Sequence, residues 1–206
     1  MKVDKKWYPG ATTIIGQVDK PFLVKWANNL GLDGKDYEIE VNHSAKVGEL
    51  IHRIIQSHLL KQEIEIPQEY SDEDLEIAEK AFYRYLEWEK EHTITDIEIE
   101  KELFSETYHY KGLLDIYCKV DGKWTIIDIK TSKSIGIEQK MQVSAYDVLV
   151  RENELPVEQR MIINTGKLED SKLLIEEITS KDAVSLFNVF KVLLDLYYAR
   201  KEIGWK

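Results

Sequence analysis

The stretch WTIIDIKT, residues 124–131, reads as a β-strand that carries a carboxylate and an ammonium two positions apart. Side chains in a strand alternate faces, so Trp124, Ile126, Asp128 and Lys130 share one face and Ile127 and Ile129 the other. The residues just upstream, YKGLLDIYCKVDGK (110–123), form a second strand-like run that ends around Asp121-Gly122. Asp-Gly between β-formers is a strong hairpin signal, because a two-residue type I′ turn needs positive φ at both central positions. With these two residues as the loop, Val120 faces Lys123, and the same register sets Asp115 opposite Asp128.

Directly opposed residues on one sheet face have Cβ atoms roughly 4.5–5.5 Å apart, and like charges there repel. Something must offset that repulsion. Two carboxylates at this distance suit Mg²⁺ or Mn²⁺, whose preferred ligands are oxygens and whose charge inverts the local field. Lys130, about 7 Å further along the same face by strand rise, could touch what such an ion holds. The plain alternatives are a surface hairpin with solvated acids, or an Asp128–Lys130 pair worth under about 1 kcal/mol. Ile126, Ile127, Ile129, Leu113 and Ile116 argue instead for a buried strand pair, where a bare charge is expensive.

The chain has 206 residues, of which 43% are hydrophobic and 32% charged, enough for one sizeable ordered domain. Cys118 is its single cysteine, which excludes an internal disulfide framework, a cysteine-based zinc site and a cluster held by several thiolates. No apolar run approaches membrane-spanning length, and MKVDKKWYPG lacks the apolar core of a signal peptide, so a cytoplasmic setting without membrane contact is expected. A net charge of −10 argues against a nucleic-acid-coating protein. It leaves room for a local basic groove: Lys5, Lys6, Lys20, Lys25, Lys46, Arg53, Lys111, Lys130, Lys133 and Lys140 flank the motifs, whereas acid gathers in SDEDLEIAEK and KLEDSKLLIEE.

Along the chain, Asp19 is placed to cap a short helix KPFLVKWANNL, with Pro21 in its first turn and Gly31 near its end. Ser44 is placed to cap AKVGELIHRIIQSHLLK, whose Val47, Leu50, Ile51, Ile54, Ile55 and Leu59 fall at helical spacing. Ser71 and Asp74 open a third helix with a capping-box pattern. Strands follow: DIEIEKELFS and the two hairpin arms. The helix IEQKMQVSAYDVLVREN leads to strands EQRMIINT and SKLLIEEI, and a last helix carries Leu186, Phe190, Leu193 and Tyr197 on one stripe. This order predicts an α/β sandwich on a small mixed sheet.

In GELIH, Gly48 and His52 are four apart on one helical face. A mid-helix glycine costs up to about 1 kcal/mol relative to alanine and tends to mark a close approach. Gln142 and Tyr146 in QVSAY repeat this spacing on the helix after the Asp128 strand. A lone histidine on an apolar helix is ordinarily a hydrogen-bonded core residue, and neither pair alone indicates a site. The ordered set is more specific. Gly48-x-x-x-His52, Asp115 in GLLD, Asp128-x-Lys130 in IIDIKT and Gln142-x-x-x-Tyr146 resemble the RecB-like exonuclease branch of the PD-(D/E)xK nuclease superfamily. The upstream YPGATTII…DKPFLVKWA, which includes Thr12 and Thr13 as further candidates, looks like the opening of phage-encoded and mitochondrial-genome-maintenance-type members. The resemblance runs from about Tyr8 to Tyr146.

It implies a restriction-endonuclease-like core with an N-terminal helical extension: one nuclease domain over 1–206, mainly helical in 1–95, with the α/β catalytic core in 96–206. It implies that His52, Asp115, Asp128 and the backbone carbonyl of Ile129 hold Mg²⁺ or Mn²⁺. Lys130 would position or activate the attacking water and stabilise charge on the phosphate. Gln142 and Tyr146 would line the site and contact the substrate strand, with Lys133 nearby, and Glu100 matches an acid often found upstream of the central aspartate. Asp128 is the less common acid of the D/E-x-K motif, and the cysteine quartet of the iron–sulfur subfamily is missing, so no iron–sulfur cluster is expected. The expected activity is metal-dependent hydrolysis of DNA, as an exonuclease on single strands or ends in replication, recombination or phage DNA processing, with a helicase or recombination partner. Trp7, Tyr8, Trp26 and Tyr146 are candidate stacking surfaces for bases. The rivals are a structure-selective or restriction-type endonuclease, a non-catalytic DNA-binding or helicase-partner module, and an acidic scaffold with a purely structural hairpin.

Overall fold

The computed structural model describes residues 7–205. Lys5 and Lys6, noted above, lie outside them. The chain runs α1 (Ala11–Ile15), α2 (Pro21–Leu32), α3 (Tyr37–Leu59), α4 (Asp72–Glu89), β1 (Ile94–Ser105), β2 (Tyr110–Val120), β3 (Lys123–Lys130), α5 (Ile137–Glu152), β4 (Gln159–Asn164), β5 (Leu174–Glu177) and α6 (Ser180–Glu202). The five strands form one sheet in sequence order. β1, β2 and β3 pair antiparallel, β3 and β4 parallel, and β4 and β5 antiparallel. Antiparallel neighbours need only short turns, whereas the parallel step needs a crossover, and α5 supplies it.

The expected mixed sheet flanked by helices is present, together with the helices of the N-terminal part. α1, α5 and α6 cover one sheet face through Ile14, Leu149 and Phe190, packed with Leu114, Ile126 and Ile162. α3 and α4 cover the other through Ile51, Ile55, Ala81 and Tyr85, packed with Ile116, Ile127, Ile129 and Ile163. Ile126 thus faces one layer and Ile127 and Ile129 the other, as strand alternation requires.

The hairpin turn is the one its residues dictate: Asp121 has φ 51° and Gly122 φ 82°. The register runs from Val120↔Lys123 to Ile116↔Ile127. Asp121 also fastens the turn to the connection between α4 and β1, its carboxylate accepting from Thr93 N at 2.8 Å and lying 2.7 Å from a ring nitrogen of His92.

Several boundaries differ from expectation. Lys20, not Asp19, precedes α2, with Pro21 as the first helical residue. α3 begins at Tyr37, where Asp36 accepts hydrogen bonds from Glu38 N and Ile39 N, so Ser44 lies inside the helix rather than capping it. Its first turns bury little: Ile39 is 68% exposed, and apolar periodicity is silent there. α1 forms within ATTII, where no helix was expected. On α6 the buried stripe is Ala183, Phe187, Phe190 and Leu194, with Leu186, Leu193 and Tyr197 at its margin. Leu113 is 48% exposed, and Leu114 takes the buried place expected of it.

α5 is held at two levels. Arg160 of β4, 2% exposed, donates from Nε to Asp147 Oδ1 at 2.7 Å. Gly112 of β2 lets the helix come close: a Cβ there would lie 2.6 Å from both Tyr146 Cε1 and Leu149 Cδ1. Gly112→Ala is therefore expected to destabilise by about 1–3 kcal/mol through overpacking. Urea denaturation would read this as a lower midpoint at unchanged slope.

Candidate active site

The paired strands part where the acids sit. The β2–β3 ladder ends at Ile116↔Ile127, and one step on the backbone N–H of Ile129 donates to Asp115 Oδ2 at 2.9 Å. A carboxylate thus takes the acceptor role that a backbone carbonyl would fill in a continued ladder. β3 continues on its other side to Lys130↔Asn164.

Asp128 is fully buried. Gln142 Nε2 donates to its Oδ1 at 3.1 Å and to Tyr146 Oη at 2.8 Å. Lys130 Nζ stands 2.6 Å from Asp128 Oδ2, but outside hydrogen-bonding alignment, which leaves that buried oxygen without an aligned donor. Burial pushes the Asp128 carboxyl up to about 6, Asp115 adds to the rise, and the Lys130 ammonium opposes it. Asp115 is also raised, again by burial first, with Lys130 and the Ile129 N–H pulling the other way. The site therefore carries two acids that resist sharing charge, and one lysine that stabilises both.

His52 approaches from α3, its Nδ1 3.6 Å from Asp115 Oδ2. Burial and the nearby Lys130 charge hold its pKa below the usual histidine value, which favours the neutral ring that a metal ligand requires. Gly48 permits this approach: a Cβ there would meet Thr131 Oγ1, just past Lys130, at 3.0 Å. Glu100 on β1 sits in left-handed backbone at φ 51°, uncommon for a side chain of its size. It lines a cavity of about 420 Å³ with His52, Arg53 and Asp115.

Among the described residues, no three His, Cys, Asp or Glu side chains already form a cage for an ion. The donor set nonetheless fits one. Two carboxylates are the oxygen ligands that Mg²⁺ and Mn²⁺ favour, the neutral imidazole suits the softer Mn²⁺ better than Mg²⁺, and Asp128 Oδ2 is a buried acceptor lacking an aligned donor.

Two cavities open on the other side of the acids. One, of about 350 Å³, is lined by Thr12, Lys111, Gly112, Asp115, Gln142 and Tyr146. The next, of about 450 Å³, shares Thr12 and Gln142 with it and adds Lys20, Phe22 and Lys133. Thr12 and Lys133 are thus brought to the site region, while Thr13 is exposed and lines neither. Tyr8 and Tyr146 are 6% and 3% exposed, so neither ring offers a free stacking face, whereas Trp7 and Trp26 stay open to solvent.

Sequence reasoning passed over Lys167. Its ammonium donates to the Ser44 carbonyl at 2.6 Å and lines the His52 cavity, and burial lowers its pKa. It reaches the cavity through the turn at Gly166, φ 61°, beyond the end of β4. The only local signal was the glycine in NTGK.

The fold has a solved counterpart. The protein described as "Putative exonuclease" from Eubacterium rectale superposes at TM-score 0.53 with 13% identity, over 78% of this chain and 69% of that one. A structure named SSO0001 overlaps at TM-score 0.40 with 17% identity, over 94% of this chain and 78% of that one. No curated protein matches in sequence. The model of the PD-(D/E)XK nuclease superfamily matches residues 25–186, a span that contains His52, Asp115, Asp128, Lys130, Gln142 and Tyr146. With that match over most of its length, the chain belongs to the PD-(D/E)XK nuclease superfamily.

Proposed function

We propose that the protein is a metal-dependent deoxyribonuclease of the RecB-like exonuclease branch, of phage-encoded or mitochondrial-genome-maintenance type. In this reading residues 1–206 act as one nuclease domain in the cytoplasm of a bacterial or phage-infected cell. It trims single strands or DNA ends in replication, recombination or phage DNA processing, with a helicase or recombination protein as partner. The observation that carries the reading is the convergence of Asp115, Asp128, Lys130 and His52 where β2 and β3 part.

His52, Asp115, Asp128 and the Ile129 carbonyl would hold Mg²⁺ or Mn²⁺, which when bound supplies a nucleophilic water near neutral pH and offsets phosphate charge. Gln142 fixes the Asp128 carboxylate through Oδ1 and leaves Oδ2 turned toward Lys130. The Lys130 ammonium supplies a fixed positive charge within a site that partly excludes water, where it orients the attacking water and stabilises charge building on the phosphate. Glu100, Gly48 and Thr131 shape the wall around His52. The intact acids and lysine disfavour a non-catalytic module.

An exonuclease must meet a terminus. End-labelled linear single strands should shorten with Mg²⁺ or Mn²⁺ and persist in EDTA, while a covalently closed single-stranded circle survives in both. Rapid nicking of the circle would establish the endonuclease rival, and cleavage in EDTA would remove the metal from the reaction.

A further inference from the structure

We infer that the cavity framed by Lys20, Phe22 and Lys133 is a subsite for the base and neighbouring phosphate of a single DNA strand on its way to the acids. The inference rests on the nuclease reading and deepens it by assigning the specificity for unpaired DNA.

The cavity shares Thr12 and Gln142 with the one that touches Asp115, so a strand lying in it is continuous with the acid site. Phe22 is 63% exposed, an unusual position for a large apolar ring, and it borders this cavity. Trp26, one helical turn along α2 from Phe22, lies outside this cavity and packs edge-on against Tyr37 at 5.3 Å. Lys20 and Lys133 line the same space, and neither ammonium has an ion-pair or hydrogen-bond partner among the described residues. Among those residues, Glu138 is the one acid in the wall. Unpaired ammonium groups beside an exposed ring match the requirements of single strands, for which cations track phosphates and rings stack on bases without regard to sequence. In a duplex the base faces are stacked on each other, so the ring has nothing to receive until an end frays. Trp7 is a poorer candidate, since the Lys201 ammonium lies over its ring at 4.4 Å.

The test is binding of a labelled single-stranded oligonucleotide, intact or abasic throughout, read by fluorescence anisotropy in EDTA so that it does not depend on hydrolysis. Phe22→Ala should weaken binding of the intact strand on the order of tenfold and leave the abasic strand unchanged. The exposed position of Phe22 keeps folding out of the result. Lys20→Ala with Lys133→Ala should weaken both strands alike, and flatten the salt dependence by about 0.7 for each phosphate no longer neutralised. Equal affinity of parent and Phe22→Ala for the intact strand would overturn the inference, as would a parent that binds neither strand. Hydrolysis by the parent in Mg²⁺ is scored separately and decides the nuclease reading alone.

Discussion

Asp115→Asn should fold at least as stably as the parent in EDTA, yet gain almost nothing from Mn²⁺ and hydrolyse no DNA. The side-chain oxygen of asparagine can still accept from Ile129 N–H, so the local backbone is kept. What disappears is one of two charges whose ionisation burial and mutual repulsion oppose. Lys130 retains Asp128 as its partner. The carboxyl of Asp115 is raised in the folded state, so its charged form disfavours folding at neutral pH, and removing it cannot cost that energy. In the parent, an ion at a hundred times its dissociation constant adds about 2.7 kcal/mol. For a chain of this size that corresponds to a melting shift of roughly 5–10 °C. Calorimetric scans with and without Mn²⁺ would read both halves. An Asp115→Asn protein that melts well below the parent in EDTA would assign the aspartate a structural role, and one that keeps the full Mn²⁺ shift would remove it from the ligand set.

How much of this site was legible in the chain depends on how local its causes are. Asp121-Gly122 dictates the turn by its own backbone chemistry, and the register then follows to Ile116↔Ile127. It fails one pair later, because the Asp115 side chain takes up Ile129 N–H and the strands part. The alternation of β2 also slips there: Leu114 packs toward α5 and α6, and Ile116 toward α3 and α4, though strict alternation would put both on one face. That slip, matched on β1 by the left-handed Glu100, explains why Leu113 is open to solvent. Strand alternation cannot foresee it.

A mid-helix glycine has few cheap reasons to exist, and at Gly48 the Thr131 approach supplies one. Gly112 carried no such signal, since glycine in a strand end is ambiguous, yet it sets the distance between β2 and Tyr146. Lys167 depends on a loop brought back over α3 by tertiary packing, with Thr165 N–H bound to the Lys130 carbonyl at 2.9 Å and Arg84 of α4 holding the Thr165 carbonyl at 3.2 Å. Nothing within a few residues of Lys167 encodes that return.

Lys130→Ala should show the opposite pattern to Asp115→Asn. Its ammonium donates hydrogen bonds and cannot hold a cation, so calorimetry should still detect Mn²⁺ binding while the hydrolytic rate falls by about 10²–10³, or roughly 3–4 kcal/mol. Without the lysine, the buried Asp128 and the partly buried Asp115 lose the charge that opposes their raised pKa values. Breaking such a pair costs about 3–5 kcal/mol when fully buried, and less here because the Lys130 side chain is 20% exposed. Apo stability should therefore fall, and Mn²⁺ should restore more of it than it adds to the parent, since the ion replaces the missing charge. Lys130→Arg should recover stability better than rate: a guanidinium can pair with Asp128, but its planar fork does not stand where a compact ammonium meets a water. If the lysine served only as a counter-ion, rate would follow stability, and saturating Mn²⁺ would return Lys130→Ala to within a few-fold of the parent. A rate that stays a hundredfold low in a protein whose fold and metal affinity have both been restored can come only from the reaction itself, and that separation places Lys130 among the groups that act on the phosphate.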